Sequence, residues 1–258
     1  MKKSTGKSIC LFSGKGGVGK TFMTLCLAGV FETIEKKVLI MDLDLSGGGI
    51  ALATNKPFDK TIYTFVDDYN NNRYKEFKSY VTSYDEKIDI LPSPKDPRQA
   101  SKINSKYIEI AIEKAKQYYD VVLIDMNHNM NELNLVVLDA VDKILFVMNN
   151  DPLDLKNLKS ILSIFRDLDK DNYKILLNNS RDPYKKYFTD FDIKSIIKSN
   201  IDYTISSEFY LKNIDTYIMN GAIVTLDSKA PSVFNKDYTT MLNMAVDLIG
   251  EGDTDGKN

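Results

Sequence analysis

The sequence has few residues of the types that build metal centres or disulfide frameworks. Its 258 residues include two cysteines, one histidine and no tryptophan. Cys10 and Cys26 lack the spacing of a zinc site, and two thiols exclude a disulfide framework. We expect both to be buried core thiols in a reducing cytoplasm. No run of about 18 apolar residues occurs, so no membrane span is predicted.

The chain also lacks a large excess of charge of either sign. It has 34 basic and 36 acidic residues, for a net charge of −2. No overall positive field draws it to nucleic acid or an anionic membrane, so such contact requires a local patch. The basic start, Met1–Lys3, is not followed by a hydrophobic segment long enough for a signal peptide. We expect a cytoplasmic protein with a single α/β domain over 1–250 and a polar tail over 251–258.

The most informative stretch is glycine-rich and joins a strand pattern to a helix pattern. The apolar run Ile9–Phe12 precedes it, and a helical pattern from Leu25 to Ile34 follows. The stretch fits G-x-x-x-x-G-K-[ST] in full, in the context of a phosphate-binding loop. We expect Lys20 to reach the β- and γ-phosphates of ATP and the Thr21 hydroxyl to bind Mg²⁺. The predicted nucleotide-binding residues of this segment are Gly14, Gly16, Gly17, Val18, Gly19, Lys20, Thr21 and Phe22.

Three aspartates stand at the ends of two further hydrophobic strand patterns. Asp42 and Asp44 end the run that begins at Lys37, and Asp125 ends the run Tyr119–Ile124. Ligands of doubly wound sheets bind at the carboxyl ends of the strands. Asp125 has the Walker B position and is expected to bind Mg²⁺ through water. For Asp44, a simple turn-capping role is the alternative.

Lys15 is a second lysine inside the loop, giving Lys-Gly-Gly-Val-Gly-Lys-Thr. With this feature the sequence resembles the ParA/MinD superfamily of deviant Walker A ATPases. The resemblance implies an ATP-dependent homodimer with slow hydrolysis, in which Lys15 touches the phosphates of the partner's ATP. It also implies that Asp44 orients the attacking water, that Asp42 lies near Mg²⁺ and that Asn178 contacts adenine. For Asn178, which precedes a second asparagine at the end of a strand pattern, a turn-forming role is the alternative. Lys15, Lys20 and Asp44 are therefore the predicted catalytic residues, and Thr21, Asp42 and Asp125 the predicted metal site.

Two stretches are similar to the CpaE/TadZ branch of that superfamily, whose members localise pilus-secretion machinery. One is Asp42–Ala53, in which Asp-Leu-Asp-Leu precedes a glycine run, and the other is Ile88–Pro97. Members of that branch usually carry an N-terminal receiver-like domain, whereas this chain starts directly at the ATPase. The first expectation is thus an ATPase switch that positions an envelope machine.

The segment Met126–Asn131 departs from the superfamily, which often has Pro-Gly after the Walker B aspartate. Asn127 or Asn129 can still hydrogen-bond the attacking water. We interpret His128, the single histidine, as a solvated loop residue, because phosphoryl transfer needs positioning and charge rather than a strong base. The altered segment leaves open a nucleotide-dependent scaffold that scarcely hydrolyses ATP.

The charged residues of the C-terminal half bear on the binding of DNA and of membranes. A DNA-partition ATPase is the alternative function, because lysines occur in the C-terminal half; scattered lysines are more often simply solvated. The final helical pattern lacks a basic face, so direct membrane binding is not expected. The protein cargo is not given by the sequence. The lysines considered are Lys185, Lys186, Lys194, Lys198 and Lys212.

The remaining patterns alternate between strand and helix and predict a doubly wound α/β fold of the P-loop NTPase type. Its mostly parallel sheet of seven or eight strands has helices on both faces. Aromatic residues between Tyr63 and Tyr84 form either a partner surface or a buried face. Further predicted strands are Lys143–Met148, Tyr173–Asn179 and Ile201–Ser206. Predicted helices are Tyr74–Tyr84, Lys102–Tyr118, one opened by Asp151-Pro152, Ile193–Lys198 (capped by Asp190 or Asp192), Glu208–Met219 and Pro231–Ile249.

Overall fold

A computed structural model describes residues 5–180, 186–209 and 214–250. In this part of the chain, eight strands form one sheet in the order β3-β4-β2-β5-β1-β6-β7-β8. All neighbouring strands are parallel except β3 and β4. The predicted doubly wound, mostly parallel sheet is therefore confirmed. The strands are β1 Lys7–Phe12, β2 Val38–Leu43, β3 Thr82–Ser83, β4 Ile88–Leu91, β5 Val121–Met126, β6 Lys143–Met148, β7 Tyr173–Asn178 and β8 Tyr203–Ile205.

Helices cover both faces of the sheet. On one face pack α1, α2, α10 and α11, and on the other α3, α5, α6, α7 and α8. The helix bounds are α1 Lys20–Thr33, α2 Ile50–Thr54, α3 Ile62–Asn70, α4 Pro97–Ala100, α5 Lys106–Ala115, α6 Glu132–Ala140, α7 Pro152–Asp167, α8 Asp190–Ile197, α9 Ile214–Asn220, α10 Ala230–Val233 and α11 Asn235–Ile249. None of the described helices is long and apolar enough to cross a membrane.

The central strand β1 shows why the sheet is apolar on both sides. Ile9 and Leu11 lie in the core under α1, whereas Cys10 and Phe12 lie in the core on the opposite face. Alternate side chains of a strand point to opposite faces, and both faces of this sheet are covered. A continuous hydrophobic run is the result. The same pattern in β2, β5, β6 and β7 made these strands predictable.

The segment before β4 is where the predicted secondary structure is wrong. A helix was expected over Tyr74–Tyr84, but the structure has a 3₁₀ turn at Phe77–Tyr80, followed by β3. The true helix is α3, which begins at a capping box between Thr61 and Thr64. The aromatic spacing arose instead from packing around one ring. Phe65 is fully buried, with ring centroids 5.4–5.7 Å away on Tyr69, Tyr74, Phe77 and Tyr80. These contacts support a buried cluster over a partner surface.

Several helix boundaries also differ from the prediction. The helix expected over Lys102–Tyr118 is α5, which is shorter at both ends, and Pro231–Ile249 is divided into α10 and α11. Thr189, rather than Asp190 or Asp192, is the N-cap of α8, and Asp192 completes the capping box. For α8, the side-chain hydrogen bonds of this capping box set the boundary.

The described residues include some of the elements predicted for the C-terminal region. The helix α9 ends before Gly221, whose φ of +65° matches the predicted helix terminus. The first part of the helix predicted over Glu208–Met219 forms a 3₁₀ turn at Ser207–Phe209. Residues 210–213, with Lys212, lie outside the described residues, as do Lys185 and the predicted tail 251–258.

Candidate functional site

The glycine-rich loop leaves the end of β1 and turns directly into α1. Gly19, the N-cap of α1, has φ +99°, and Gly17 has φ +79°. Only glycine adopts such values without strain, so these two residues shape the turn. The loop presents the N-terminus of α1, which attracts anions, to a cavity of about 520 Å³. Residues of this loop, together with Phe22, Asp44 and His128, line the cavity.

Lys20 is held inside the loop. Its side chain is 8% exposed, and Nζ donates a 2.7 Å hydrogen bond to Ser13 Oγ. The Ser13 hydroxyl in turn donates to the carbonyl oxygen of Lys15 at 2.7 Å. Burial lowers the pKa of Lys20, and the charges of Asp125 and Asp44 oppose that effect. The hydrogen bond to Ser13 thus fixes the ammonium group of Lys20 at the wall of the cavity.

Two buried aspartates lie side by side at the carboxyl ends of β2 and β5. Asp42 and Asp125 are register partners on these neighbouring strands. Thr21 Oγ1 donates a 2.6 Å hydrogen bond to Asp125 Oδ2, whereas Asp125 Oδ1 has no hydrogen-bond partner. Burial raises the pKa of Asp125 to about 6; burial, with the charge of Asp125 added, raises the pKa of Asp42 well above its usual value. A positive ion at this position would relieve both effects.

The side chains present fit a magnesium ion that is shared with phosphate. In the described residues, no three His, Cys, Asp or Glu side chains converge on a metal site. Mg²⁺ is usually bound by one or two carboxylates, waters and substrate phosphates, so it needs no such cage. The unpaired Oδ1 of Asp125, the Thr21 hydroxyl and the neighbouring Asp42 supply the oxygen donors. When bound, the ion would neutralise phosphate charge.

Asp44 follows β2 and lines the same cavity. Its Oδ1 accepts a 3.1 Å hydrogen bond from the backbone N–H of Gly47. This contact is the turn-capping role that sequence reasoning kept as the alternative. One oxygen of the carboxylate thus braces the turn, while the side chain as a whole still faces the nucleotide cavity. The two roles are compatible.

Lys15 forms an ion pair within its own chain. Its Nζ lies 3.0 Å from Asp151 Oδ2, and the two side chains are 38% and 27% exposed. Asp151 is the N-cap of α7, where its Oδ1 accepts hydrogen bonds from the N–H groups of Leu153 and Asp154. The structure therefore brings Lys20, Thr21, Asp42, Asp44 and Asp125 together, whereas Lys15 pairs with Asp151 and does not line the cavity.

Comparison with known proteins agrees with this geometry. The model of the AAA_31 family, described as an AAA domain, matches residues 6–179. The chain belongs to the ParA/MinD superfamily of P-loop ATPases. It is 25% identical to the sporulation initiation inhibitor protein Soj of Bacillus subtilis over 223 residues, which cover 76% of this chain and 85% of Soj. It is 21% identical to MinD of the same organism, over 75% of this chain and 72% of that protein.

A solved structure extends the similarity to the whole fold. The septum site-determining protein MinD of Pyrococcus horikoshii, complexed with Mg-ADP, superposes with a TM-score of 0.76 at 18% identity. The match covers 98% of this chain and 99% of that one. It establishes a common fold for this ParA/MinD chain. The similarity to the CpaE/TadZ branch stays a prediction.

Asn178 of this ParA/MinD ATPase ends β7 and is buried. Its Nδ2 donates a 2.9 Å hydrogen bond to the carbonyl oxygen of Val18 in the phosphate loop. Its Oδ1 accepts a 2.6 Å hydrogen bond from the Ser180 hydroxyl. Both ends of the amide are therefore engaged within the chain, as in the turn-forming role that was its alternative. A contact with adenine remains a prediction.

Sequence reasoning missed two residues of α7 that back the loop of this ATPase. Asn157 Nδ2 donates a 2.8 Å hydrogen bond to the carbonyl oxygen of Gly14, and a Cβ on Gly14 would lie 2.7 Å from that of Asn157. Asp154 is fully buried; its Oδ2 accepts a 2.7 Å hydrogen bond from Asn149 N–H, and its Oδ1 has no partner. Burial raises its pKa to about 7. Asp151, Asp154 and Asn157 are spaced three residues apart, which places them on one face of α7, but no local pattern shows which atoms surround that face.

Proposed function

We propose that this chain is an ATP-dependent dimerisation switch that positions a partner, and that slow hydrolysis resets it. The observation that carries the proposal is that Lys20, Thr21 and Asp44 line one cavity at the end of the sheet, while Asp125 is hydrogen-bonded to Thr21 and Asp42 is the register partner of Asp125. This set provides what phosphoryl transfer to water requires: phosphate binding, a metal position and a carboxylate for water.

Each residue of the set has a defined task in this proposal. Lys20 and the loop N–H groups bind the β- and γ-phosphates. Thr21 and Asp125 hold Mg²⁺, and Asp42, through its position next to Asp125, contributes negative charge to that site. Asp44 orients the attacking water from its turn after β2. The catalytic power then comes from fixed charges rather than from a strong base.

Lys15 links the chemistry to dimerisation. To reach the nucleotide of a second chain it must leave Asp151. An exposed ion pair of this kind is worth about 0–1 kcal/mol, so the release costs little. The γ-phosphate of the partner's ATP then offers Lys15 a stronger site than Asp151. ATP drives the assembly only if it binds the dimeric state more tightly than the monomer.

DNA binding by the ATP dimer is the second candidate. Lys194 and Lys198 lie one turn apart at the exposed side of α8, and Lys186 is also exposed. Phe191 on the same helix is 78% exposed. Lysines on a common surface release counterions from DNA on binding, and the sum of several such contacts is needed for affinity. The similarity of this chain to both MinD and Soj is compatible with either a protein or DNA as the binding partner.

Solution mass decides whether the switch exists. The chain is measured by sedimentation with Mg²⁺–ATP, with Mg²⁺–ADP and without nucleotide. A dimer in ATP alone is the expected result, and monomers in all three states would refute the switch. Asp44→Ala should make the ATP dimer persist, because water attack is lost. If wild type dimerises but releases no phosphate, the chain is a nucleotide-dependent scaffold instead.

Addition of duplex DNA to the same samples separates the two cargo classes. Binding of the ATP dimer to DNA of arbitrary sequence, weakened by salt and by Lys194→Glu with Lys198→Glu, supports a segregation ATPase. An ATP dimer that ignores DNA supports a protein-positioning switch. The matched control is Lys229→Glu with Lys236→Glu, which reverses two exposed lysine charges next to α10 and on α11.

A further inference from the structure

A network of asparagines braces the segment that follows β5. Asn127 Oδ1 accepts hydrogen bonds from Asn129 N–H at 2.9 Å and from Asn134 Nδ2 at 2.7 Å. Asn134 Nδ2 also donates to the carbonyl oxygen of Asn129 at 2.7 Å. Asn134 is fully buried in α6, and Asn131 caps that helix by accepting from Asn134 N–H at 2.9 Å. The segment is therefore fixed by side chains in place of a Pro-Gly pair.

This network of asparagines holds His128 beside the phosphate loop. The position that a Cβ would take on Gly16 lies 3.2 Å from His128 Cε1 and 3.4 Å from its Nδ1. The imidazole thus occupies the space beside Gly16 that a side chain there would need. His128 also lines the nucleotide cavity together with Lys20 and Asp44, although much of its surface is exposed. An exposed histidine without such contacts would be free to turn into solvent.

We propose that His128 donates an N–H hydrogen bond to the terminal phosphate of bound ATP and so distinguishes ATP from ADP. This inference rests on the proposed nucleotide site. The imidazole has a donor nitrogen whether neutral or protonated, and phosphate oxygens accept strongly. His128 follows Asp125 by three residues, on the wall of the cavity where Lys20 and Thr21 direct the terminal phosphate and its metal. ADP has no group to accept this bond.

Affinities for ADP and for a non-hydrolysable ATP analogue, both with Mg²⁺, test the assignment by calorimetry. His128→Ala should weaken analogue binding about tenfold, the value of one hydrogen bond to a charged group, and leave ADP binding within about twofold. His128→Phe keeps a ring against Gly16 but no donor, and should lose as much. His128→Gln keeps a donor and should recover most of the affinity.

Two further variants test the role of the asparagine network. Asn134→Ala does not touch the cavity but releases Asn127 and Asn129, so it should reproduce the selective loss of analogue affinity. Met130→Ala is the matched control, because Met130 belongs to the same segment, is 44% exposed and does not line the cavity. It should bind both nucleotides like the wild type.

The single histidine also supplies a direct signal. In a tag-free protein, one imidazole Hε1 resonance is observed by NMR, so no assignment is needed. It should shift with the Mg²⁺-bound analogue beyond its position with Mg²⁺–ADP. The assignment is overturned if His128→Phe binds the analogue as the wild type does, if ADP affinity falls in parallel, or if both nucleotides give the same resonance. Failure of the wild type to bind either nucleotide refutes the proposed function itself.

Discussion

Asp154→Asn is expected to stabilise the nucleotide-free protein at neutral pH. Asp154 is fully buried behind the phosphate loop, and one of its oxygens has no hydrogen-bond partner. Burial raises its pKa from 3.8 to about 7. The folded state therefore binds a proton that the unfolded state has released, and folding becomes less favourable as pH rises between these values. Asparagine keeps the acceptor for Asn149 N–H but carries no charge.

The pKa shift sets the size of the effect. A shift of about three units corresponds to a cost of about 4 kcal/mol, at roughly 1.4 kcal/mol per unit, once pH exceeds the folded-state pKa. Below the unfolded-state pKa of about 4 the cost disappears, and at pH 5 only about a third of it has developed. Between pH 5 and pH 8, the free energy of unfolding of the wild type should therefore fall by about 2–3 kcal/mol relative to that of Asp154→Asn.

Urea unfolding of both proteins at several pH values between 5 and 8 measures this difference. Other buried carboxyls, such as Asp42 and Asp125, titrate in both proteins and cancel in the comparison. Asp192→Asn, in the capping box of α8, is the control. Hydrogen bonds with Thr189 lower the pKa of Asp192, so the difference between this variant and the wild type should be flat over this range. The reasoning is refuted if the free energies of unfolding of wild type and Asp154→Asn change with pH in the same way.

Three shorter predictions concern the metal, the dimer and the core. Asp125→Asn removes the carboxylate next to Thr21 and should raise the Mg²⁺ concentration needed for hydrolysis roughly 10–100-fold, measured by phosphate release; an unchanged Mg²⁺ dependence would contradict the metal assignment. Lys15→Ala should abolish the ATP dimer in sedimentation, whereas Asp151→Asn should not; a Lys15→Ala protein that dimerises and hydrolyses normally would exclude action across the dimer. Phe65→Ala should cost about 3–5 kcal/mol in urea unfolding, because four rings pack on Phe65; a loss below 1 kcal/mol would show that the cluster collapses around the gap.

The strands of the fold were predictable because a parallel strand that is buried on both faces has a continuous run of hydrophobic residues. The loop Ser13–Thr21 and the aspartates of β2 and β5 were predictable for a related reason: each lies at, or directly after, the carboxyl end of such a strand. Their proximity is then a property of the sheet order rather than of any local pattern. Asp42 and Asp125 are more than eighty residues apart in the sequence, and the pairing of β2 with β5 alone brings them together.

The missed features depend on contacts between elements. Nothing near Asp154 in sequence shows that its carboxyl is enclosed, because the enclosing atoms belong to other segments. His128 is exposed, as expected, but its position beside Gly16 depends on the asparagine network, which exists only after folding. The helix expected at Tyr74–Tyr84 failed because aromatic spacing at three or four residues also arises when several short elements surround one ring.

The docking of α7 on the phosphate loop has a mechanical consequence. Asn157 holds the carbonyl of Gly14, and the absence of a side chain on Gly14 lets the helix backbone approach within contact distance. The loop and α7 are thus expected to move together. Leu153 and Ile164 of the same helix are exposed to solvent. A partner that binds these two side chains and displaces α7 would therefore displace the phosphate loop with it.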